Sequence, residues 1–325
     1  MTKAIRMQKP GGPEVLKWED VEVGDPGPGQ VRIRHTAVGL NYIDTYQRTG
    51  LYPLPAYPAV LGMEAAGKIT AVGAGVSDLK VGQRVAYASG PPGSYSEERL
   101  MTADRVIPLP DSVDDRTAAA MMLKGMTTEY LIRRTYAVKK GDTILLHAAA
   151  GGVGQILSQW ANHLGAIVIG TVGSEEKAKL AKERGCKHTI LYTKEDVAKR
   201  VREITNGEGV PVVYDSVAKA TFQGSLDSLR PRGMMVSFGN SSGPLGPIDA
   251  AELQKRGSLF FTRPSLVAYT AKREELLASA KALFDVVGAG HVKININQTY
   301  ALKDTAQAHR DLEGRKTTGS TVLLP

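Results

Sequence analysis

The sequence predicts an α/β protein in which a β-rich module precedes a doubly wound parallel sheet. In residues 1–120, short strand-like segments are separated by glycine- and proline-rich turns, a spacing typical of barrels and sandwiches. From residue 143 onward, apolar strand-like runs alternate with helix-like segments. Such βαβ alternation indicates a parallel sheet with helices on both faces.

Length and composition agree with a globular protein of about two domains. The chain has 325 residues, of which 42% are hydrophobic and 23% charged, and a domain averages about 150 residues. No apolar run approaches the roughly 18 residues of a membrane helix, and the N-terminal segment lacks the apolar core of a secretory signal. The single cysteine, Cys186, excludes an intrachain disulfide and a four-cysteine zinc site. We therefore expect a cytoplasmic protein.

The β-rich module is predicted from segments bounded by turn clusters. Residues 31–38 (VRIRHTAV) alternate between apolar and polar side chains, and residues 68–72 and Arg84–Ala88 are shorter strand candidates. Residues 117–136 have a helical pattern, which Gly125 is expected to interrupt.

The parallel sheet is predicted from the region that follows. Residues 143–147 (TILLH) form an apolar run of the kind expected for a strand buried on both faces. The next segment places Val153, Ile156, Leu157 and Trp160 at helical spacing. Further strands are predicted at 166–170, 189–192, 212–215 and 234–238, and further helices at 174–185, 195–205, 272–287 and 304–312. The last 35 residues return to short strands and are expected to join the N-terminal module, which would make that domain discontinuous.

A glycine-rich loop, HAAAGGVG, follows the first strand of this alternation and opens a helix. Ala149, Gly151 and Gly154 occupy the three fixed positions of the dinucleotide fingerprint G-x-G-x-x-G, so its first glycine is missing. Gly151 would allow backbone N–H groups to approach a pyrophosphate, and Gly154 would allow the helix to pack closely on the strand. The N–H groups at a helix start favour an anion. The loop predicts a dinucleotide site, and a tight turn without ligand is the alternative.

The residues after the second strand favour NADPH over NADH. NAD-binding units carry an acidic residue about 20 positions after the loop, and here that place is taken by Gly173. Ser174 and Lys177 could donate hydrogen bonds to a 2′-phosphate. The two glutamates between them oppose this interpretation but suit the first turn of a helix. A solvated helix face is the alternative for Lys177.

The chain resembles the zeta-crystallin-like quinone oxidoreductases of the medium-chain dehydrogenase/reductase superfamily. The resemblance is carried by GLNYIDTYQRTGLYP, KGMTTEYL, AAAGGVG, DSVA, SFGNSSG, TRPSL and the GSTVLLP ending. It implies a GroES-like catalytic domain of residues 1–124 and 267–325 and a Rossmann NADPH-binding domain of residues 125–266. It also implies a homodimer joined through the Rossmann domains, for which residues 258–261 (SLFF) are the candidate edge strand; a core strand is the alternative.

The resemblance indicates the zinc-free branch of the superfamily. Zinc-dependent members hold a catalytic zinc where this chain has Asn41, and their Gly-His-Glu becomes Gly62-Met63-Glu64. Methionine does not replace histidine as a zinc ligand, so no metal site is predicted and Glu64 is interpreted as structural. Without zinc or an evident acid–base pair, conjugated acceptors are favoured over plain alcohols, because their developing charge spreads over a π-system.

The segment that replaces the zinc site supplies the candidate catalytic residues Asn41, Asp44, Tyr46 and Tyr52. Asn41 can donate and accept hydrogen bonds near the nicotinamide or the acceptor oxygen. Tyr46 and Tyr52 can stack on a planar acceptor or donate an O–H, with packing between the domains as the alternative. Asp44 could orient these groups, and no general acid is identified.

The resemblance also implies the cofactor contacts, motif by motif. The candidate NADPH-binding residues are Asn41, Tyr46, Lys124, Met126, Thr127, Tyr130, Gly151, Gly152, Val153, Gly173, Ser174, Lys177, Tyr192, Ser216, Phe238, Gly239, Ser241, Arg263, Ser265 and Arg315. Loop structure or solvated charge is the alternative for those outside the glycine loop. His147 and Cys186 are interpreted as packed residues.

The sequence thus predicts an NADPH:quinone oxidoreductase that reduces a small quinone or another conjugated carbonyl at a zinc-free site between two domains. An NADPH-dependent enone or enal reductase is the alternative, and an NADPH-binding structural or RNA-binding protein is an alternative of another class. The net charge of +8 permits nucleic acid as a partner. The lysines and arginines are dispersed along the sequence, however, and no RNA-binding motif is present.

Overall fold

The computed structural model describes residues 2–325 and divides the chain into two compact units. The first unit contains residues 2–126, Thr270–Gly288 and Ile294–Pro325. The second unit contains Thr127–Tyr269 and Ala289–Lys293. The divisions at Met126 and Tyr269 lie two and three residues beyond the domain boundaries that the resemblance implies, and Ala289–Lys293 is grouped with the second unit.

The N-terminal part of the chain consists mainly of strands. Its elements are β1 (Thr2–Met7), β2 (Lys17–Val21), β3 (Gln30–Leu40), α1 (Tyr42–Thr49), β4 (Ala59–Val60), β5 (Glu64–Val72), β6 (Arg84–Ala88), β7 (Glu98–Thr102), β8 (Ile107–Pro108) and α2 (Asp115–Tyr130).

The middle of the chain alternates strictly between strand and helix. Its elements are β9 (Thr143–Leu146), α3 (Gly152–His163), β10 (Ile167–Val172), α4 (Glu175–Glu183), β11 (Cys186–Leu191), α5 (Val197–Ile204), β12 (Val210–Asp215), α6 (Phe222–Ser228), β13 (Leu229–Ser237), α7 (Ala250–Lys255), β14 (Phe260–Thr262) and α8 (Leu266–Tyr269). The C-terminal part contains α9 (Arg273–Gly288), β15 (Ile296–Ala301), α10 (Thr305–Glu313) and β16 (Ser320–Leu324).

The main sheet of the first unit joins both ends of the chain. Its strand order is β15-β16-β3-β5-β6-β8, and β7 also pairs with β3. β16 runs antiparallel to β3, with Val322 opposite Gly39, and parallel to β15. A core that includes Ile33, Leu61 and Tyr87 fills this unit. The C-terminal strand β16 therefore lies inside a sheet built mainly from N-terminal strands, which makes this unit discontinuous in sequence.

The sheet of the second unit is parallel throughout, in the order β11-β10-β9-β12-β13-β14. From β9 the chain winds outward through β10 and β11, and then returns to the other side of β9 with β12. In such a sheet the carboxyl ends of the two strands at the reversal, here β9 and β12, flank the usual ligand crevice. The predicted fold class, a doubly wound parallel sheet together with a β-rich unit, is confirmed.

Several element boundaries differ from the sequence predictions for physical reasons. Gly125 does not interrupt α2; instead, a Cβ there would lie 2.4 Å from Cδ1 of Leu283 on α9, so the glycine permits close helix packing. β13 begins at Leu229, five residues earlier than predicted, and contains Arg232 at φ +59°. Its pairing with β12 shifts register at that level, an irregularity that an apolar pattern does not reveal. Among residues 2–325, no helix is long and apolar enough to span a membrane.

Candidate active site

The glycine loop connects β9 to α3 at the carboxyl end of the parallel sheet. Gly151 is the N-cap residue of α3 and contributes no side-chain cap, so the N–H groups of the first turn are available to an anionic ligand. A Cβ at Gly154 would lie 2.4 Å from the carbonyl oxygen of Ala148 and 2.7 Å from Ala149. This close approach explains the glycine at 154. At Gly151 the nearest atom to such a Cβ would be 3.2 Å away, so the constraint there is milder.

The residues expected to face an adenosine phosphate come together where β10 and β11 end. A Cβ at Gly173 would lie 2.5 Å from the hydroxyl of Tyr192, so the tyrosine occupies the space that a larger residue would need. Ser174 is the N-cap of α4: its Oγ accepts from the backbone N of Lys177 at 3.3 Å and donates to Glu176 at 3.0 Å. Ser174 therefore has a structural task in addition to the predicted one. The half-buried Lys177 lies in the first turn beside it.

A second group of candidates lies at the carboxyl ends of β12 and β13. The backbone N of Ser241 donates to the carbonyl of Ser216 at 3.1 Å. A Cβ at Gly239 would lie 2.4 Å from that same carbonyl oxygen. Arg263 donates from Nη1 to the carbonyl of Gly239 at 3.0 Å, and Phe238 directly follows β13. The structure thus brings these predicted residues of three motifs into one cluster.

Tyr130, a predicted cofactor contact, stacks on Tyr269. Their ring centroids are 4.5 Å apart with an interplanar angle of 14°. Thr127 is buried one turn before Tyr130 on α2, and Ser265 lies just before α8 with its side chain exposed. Burial raises the pKa of Tyr130, so this phenol stays neutral at physiological pH.

Asn41 lies at the start of α1 and is held by two carboxylates. Its backbone N donates to Oδ2 of Asp44 at 2.8 Å, and its side-chain Nδ2 donates to Oε2 of Glu64 at 2.7 Å. Glu64 is fully buried and also accepts from Nζ of Lys124 at 3.1 Å and from the backbone N of Leu123 at 2.7 Å. Sequence reasoning interpreted Glu64 as structural. In the structure it orients two candidate residues, Asn41 and Lys124.

Asn41 and Met63, which the resemblance aligns with zinc ligands, make other contacts here. The amide of Asn41 is directed to Glu64, and the Sδ of Met63 lies 3.3 Å from Nε2 of Gln47, which donates to it. In residues 2–325, no group of three or more His, Cys, Asp or Glu side chains is arranged to hold a metal ion.

Tyr46 and Tyr52 belong to a small aromatic cluster in the first unit. Their ring centroids are 5.2 Å apart in an edge-to-face arrangement, and Tyr42 lies 5.6 Å from Tyr46 on the same helix. Tyr46 is buried, whereas Tyr52 is partly exposed. Burial among these rings of the first unit accounts for the position of Tyr46. Stacking of either ring on a planar acceptor stays a prediction.

Asp44 lies in the first turn of α1 and is completely buried. Its Oδ2 accepts from the hydroxyl of Tyr95 at 2.7 Å as well as from Asn41. Within the described chain, its Oδ1 has no hydrogen-bond partner. Burial raises the pKa of Asp44 to about 7, although the hydrogen bonds from Tyr95 and Asn41 act in the opposite direction. Asp44 is therefore poised between its charged and neutral forms near pH 7.

The remaining candidates are scattered. Met126 is completely buried in the first unit, and Arg315 is an exposed residue with φ +57° in the segment between α10 and β16.

Sequence reasoning missed Tyr95 and His309, whose side chains are 3.0 Å apart although they are 214 residues apart in the chain. No local motif links such distant positions, so only the fold reveals them.

Comparison with known proteins identifies both parts of the chain. Residues 27–111 match the family described as "Alcohol dehydrogenase GroES-like domain", and residues 152–277 match the family described as "Zinc-binding dehydrogenase". The chain is 52% identical to a quinone oxidoreductase of Pseudomonas aeruginosa over 325 residues, which cover 100% of both proteins. It is 51% identical to a 2-haloacrylate reductase of Burkholderia sp., with 100% of this chain and 99% of the relative covered.

Solved structures show the same fold. The crystal structure of Escherichia coli quinone oxidoreductase complexed with NADPH matches this chain with a TM-score of 0.98 at 46% identity. The match covers 99% of this chain and 100% of that one.

Proposed function

The chain belongs to the quinone oxidoreductase family of the medium-chain dehydrogenases/reductases, and from this premise we propose that it is an enzyme that reduces quinones with NADPH. The observation that carries the proposal is the 52% identity to a quinone oxidoreductase over the whole length of both chains. The family and the enzyme class predicted from the sequence are thereby confirmed.

The residues present fit NADPH. The uncapped first turn of α3 would hold the pyrophosphate, because its N–H groups and the positive end of the helix dipole favour an anion. Lys177 and Tyr192, whose hydroxyl fills the space beside Gly173, would hold the 2′-phosphate. When bound, NADPH supplies a hydride to the acceptor.

The contribution of the first unit is to fix the groups that meet the acceptor. Glu64 holds the amide of Asn41 and the ammonium of Lys124, so both donors keep one orientation as the charge on the acceptor oxygen develops. Tyr46 and Tyr52 would flank the planar acceptor. Since a reduced quinone spreads its charge over the ring, water suffices as the proton source and a zinc ion is not required.

The proposal includes a homodimer and a cytoplasmic location. β14 is the outermost strand of the parallel sheet, and an outer strand presents unpaired backbone groups to a second copy. Phe260 on this strand is 57% exposed, which supports the proposed contact. The free thiol of Cys186 is buried, as suits a protein of a reducing compartment.

Reduction of a conjugated double bond is the second candidate, favoured by the 51% identity to a 2-haloacrylate reductase. Such an acceptor has a carbon–carbon double bond conjugated to a carboxylate. Hydride transfer to it would use the same cofactor geometry. The two candidates differ only in the acceptor.

A panel of acceptors tests the function. The purified protein is mixed with NADPH and, separately, with 1,4-benzoquinone, 2-chloroacrylate and cyclohexenone, and loss of the reduced-nicotinamide absorbance is followed. We expect the fastest loss with the quinone, and the same rate after treatment with a chelator. Faster turnover of 2-chloroacrylate would favour the second candidate. Tight NADPH binding without turnover of any acceptor would contradict both.

Lys177→Ala tests the cofactor assignment. Loss of a charge-assisted hydrogen bond costs about 1.5–3 kcal/mol, so we expect the KM for NADPH to rise roughly 10- to 100-fold. The KM for NADH should stay unchanged. Lys179→Ala, which removes an exposed lysine from the same helix, is the matched control and should leave both constants unchanged. Equal effects of Lys177→Ala on the two cofactors would show that the lysine does not contact the phosphate.

A further inference from the structure

We propose that Tyr95 and His309 are positioning residues, which fix the carboxylate of Asp44 and through it the start of α1 at Asn41. The inference rests on the proposed function, because Asn41 is a candidate residue of that site. It extends that function by assigning a role to two side chains that lie outside every motif of the sequence.

The two residues belong to an unbroken chain of hydrogen bonds through the core of the first unit. The hydroxyl of Tyr95 lies 2.7 Å from Oδ2 of Asp44 and 3.0 Å from Nε2 of His309. Nδ1 of His309 lies 3.0 Å from Nη1 of Arg48, and Arg48 donates to both carboxylate oxygens of Glu313 at 2.7 and 2.9 Å. Except for Glu313, these side chains are almost completely buried.

The chemistry of these groups fixes the direction of every bond. A guanidinium only donates, so Nδ1 of His309 must accept from Arg48. The neutral imidazole then carries its proton on Nε2 and donates it to the oxygen of Tyr95. The hydroxyl of Tyr95 is left to donate to Asp44. Burial and the charge of Arg48 lower the pKa of His309 to about 3, which keeps the ring neutral and the direction unchanged.

Asp44 is the last side chain in this series of hydrogen bonds. The series determines which of its two carboxylate oxygens accepts from Asn41. Tyr95 and the backbone N of Asn41 both donate to Oδ2, whereas Oδ1 has no partner in the described chain. Without Tyr95, the carboxylate could present either oxygen to Asn41. The other ionised groups that face Asp44 are Lys124, which favours its charged form, and Glu64, which opposes it.

The same chain fastens α1 at both ends. Asp44 is in the first turn of α1 and Arg48 in its last turn, while His309 and Glu313 lie one turn apart on α10. Because α1 is only eight residues long, it has little rigidity of its own. The position of Asn41 at its start therefore depends on these contacts.

Tyr95→Phe tests the inference, because it keeps the ring and removes only the hydroxyl. We expect the Kd for NADPH to stay within about twofold. We expect kcat with the quinone to fall about tenfold, because a small displacement of a positioned group slows the chemical step. The bond from Tyr95 favours the ionised carboxylate, so the pKa of Asp44 should rise, and any step in the kcat–pH profile that reports Asp44 should move to higher pH.

Tyr87→Phe is the matched control. Tyr87 is another completely buried tyrosine of the first unit, and its hydroxyl lies 2.9 Å from Nε2 of His35. This pair does not lead to Asp44, so the variant should lose stability without a change in kcat or in the pH profile. His309→Gln keeps one donor and one acceptor and should retain most of the activity, whereas His309→Leu should resemble Tyr95→Phe.

The outcomes separate this inference from the proposed function. Wild-type turnover of the quinone tests the function, and the difference between the tyrosine variants tests the positioning role. If the wild type reduces no acceptor, the pKa of Asp44 is followed by carboxyl-carbon NMR instead. A rise in Tyr95→Phe that is absent in Tyr87→Phe supports the inference. The inference would be overturned if Tyr95→Phe and Tyr87→Phe had the same kcat and the same pKa of Asp44. It would also be overturned if His309→Gln lost as much activity as His309→Leu.

Discussion

Asp215 in the second unit and Asp44 in the first are both completely buried, and each lies in a chain of hydrogen bonds with a histidine and a hydroxyl group. Oδ1 of Asp215 accepts from the backbone N of Val217 at 2.7 Å and of Ala218 at 3.0 Å. Its Oδ2 accepts from the hydroxyls of Thr221 at 2.7 Å and Ser225 at 2.8 Å. Asp44, by contrast, accepts only two hydrogen bonds, and both of them go to Oδ2.

The difference follows from what each carboxylate holds. Ser225 donates to Asp215 and therefore accepts from Nε2 of His147, while Thr171 donates to Nδ1 of the same ring, at 2.9 and 3.0 Å. His147 is the first residue of the glycine loop, so a fully satisfied network fixes the end of β9 from which that loop begins. Asp44 instead holds Asn41, a candidate residue of the proposed site, and it has a raised pKa and a spare oxygen. Full satisfaction thus marks a fixed scaffold, and incomplete satisfaction marks a group whose charge can change.

Substitution of each aspartate by asparagine should give the largest difference in stability between the two sites. At Asp215 the amide places an NH2 among four converging donors, whichever way it is turned, and we expect a loss of about 3 kcal/mol in the free energy of unfolding. At Asp44 the NH2 can take the place of the partnerless Oδ1, so at pH 4.5, where the folded protein holds Asp44 neutral, the change should be within about 1 kcal/mol. Urea unfolding followed by circular dichroism measures both. Equal losses in the two variants would show that donor count does not distinguish the sites.

The pH dependence of stability tests the raised pKa of Asp44 directly. The pKa of Asp44 is about 7 in the folded protein against 3.8 for an ordinary aspartate. Between these values the folded state binds more protons than the unfolded one, so Asp44 makes the free energy of unfolding fall as pH rises. Its contribution reaches about 1.4 kcal/mol per pH unit and is constant below pH 3.8 and above pH 7.

The measurement is the difference between wild type and Asp44→Asn in urea unfolding from pH 4.5 to pH 8. We expect the wild type to lose stability relative to the variant up to about pH 7, because asparagine does not titrate. Parallel curves across this range would mean that Asp44 keeps an ordinary pKa in the folded state.

The two units were also unequally predictable from the sequence. The alternation in the second unit is a local pattern, and the glycine loop lies within eight residues, so the parallel sheet and the start of α3 followed from spacing alone. β13 was predicted too short because its register shift near Arg232 depends on pairing with β12. Gly125 was misinterpreted for the same reason, since its role is set by Leu283 on a distant helix.

The candidate site shows the same limit. Gly173, Ser174 and Lys177 could be found together because they are consecutive or nearly so, and Tyr192, which lies against Gly173, follows the next strand. Tyr95 and His309 could not be found, because the contact between them joins a loop of the N-terminal region to a helix near the C-terminus. Long-range hydrogen bonds between single polar residues leave no periodic signal in a sequence.

The position of β16 has a consequence for how the chain is made. Its pairing with β3 on one side and β15 on the other means that the first sheet stays incomplete until residues 320–324 have left the ribosome. All strands of the second sheet have been synthesised by Thr262, so that unit can pair its strands while β3 still lacks this neighbour. During this interval residues 38–40 of β3 are an unpaired edge to which other chains can add. Loss of residues 320–324 would therefore remove an interior strand of the sheet.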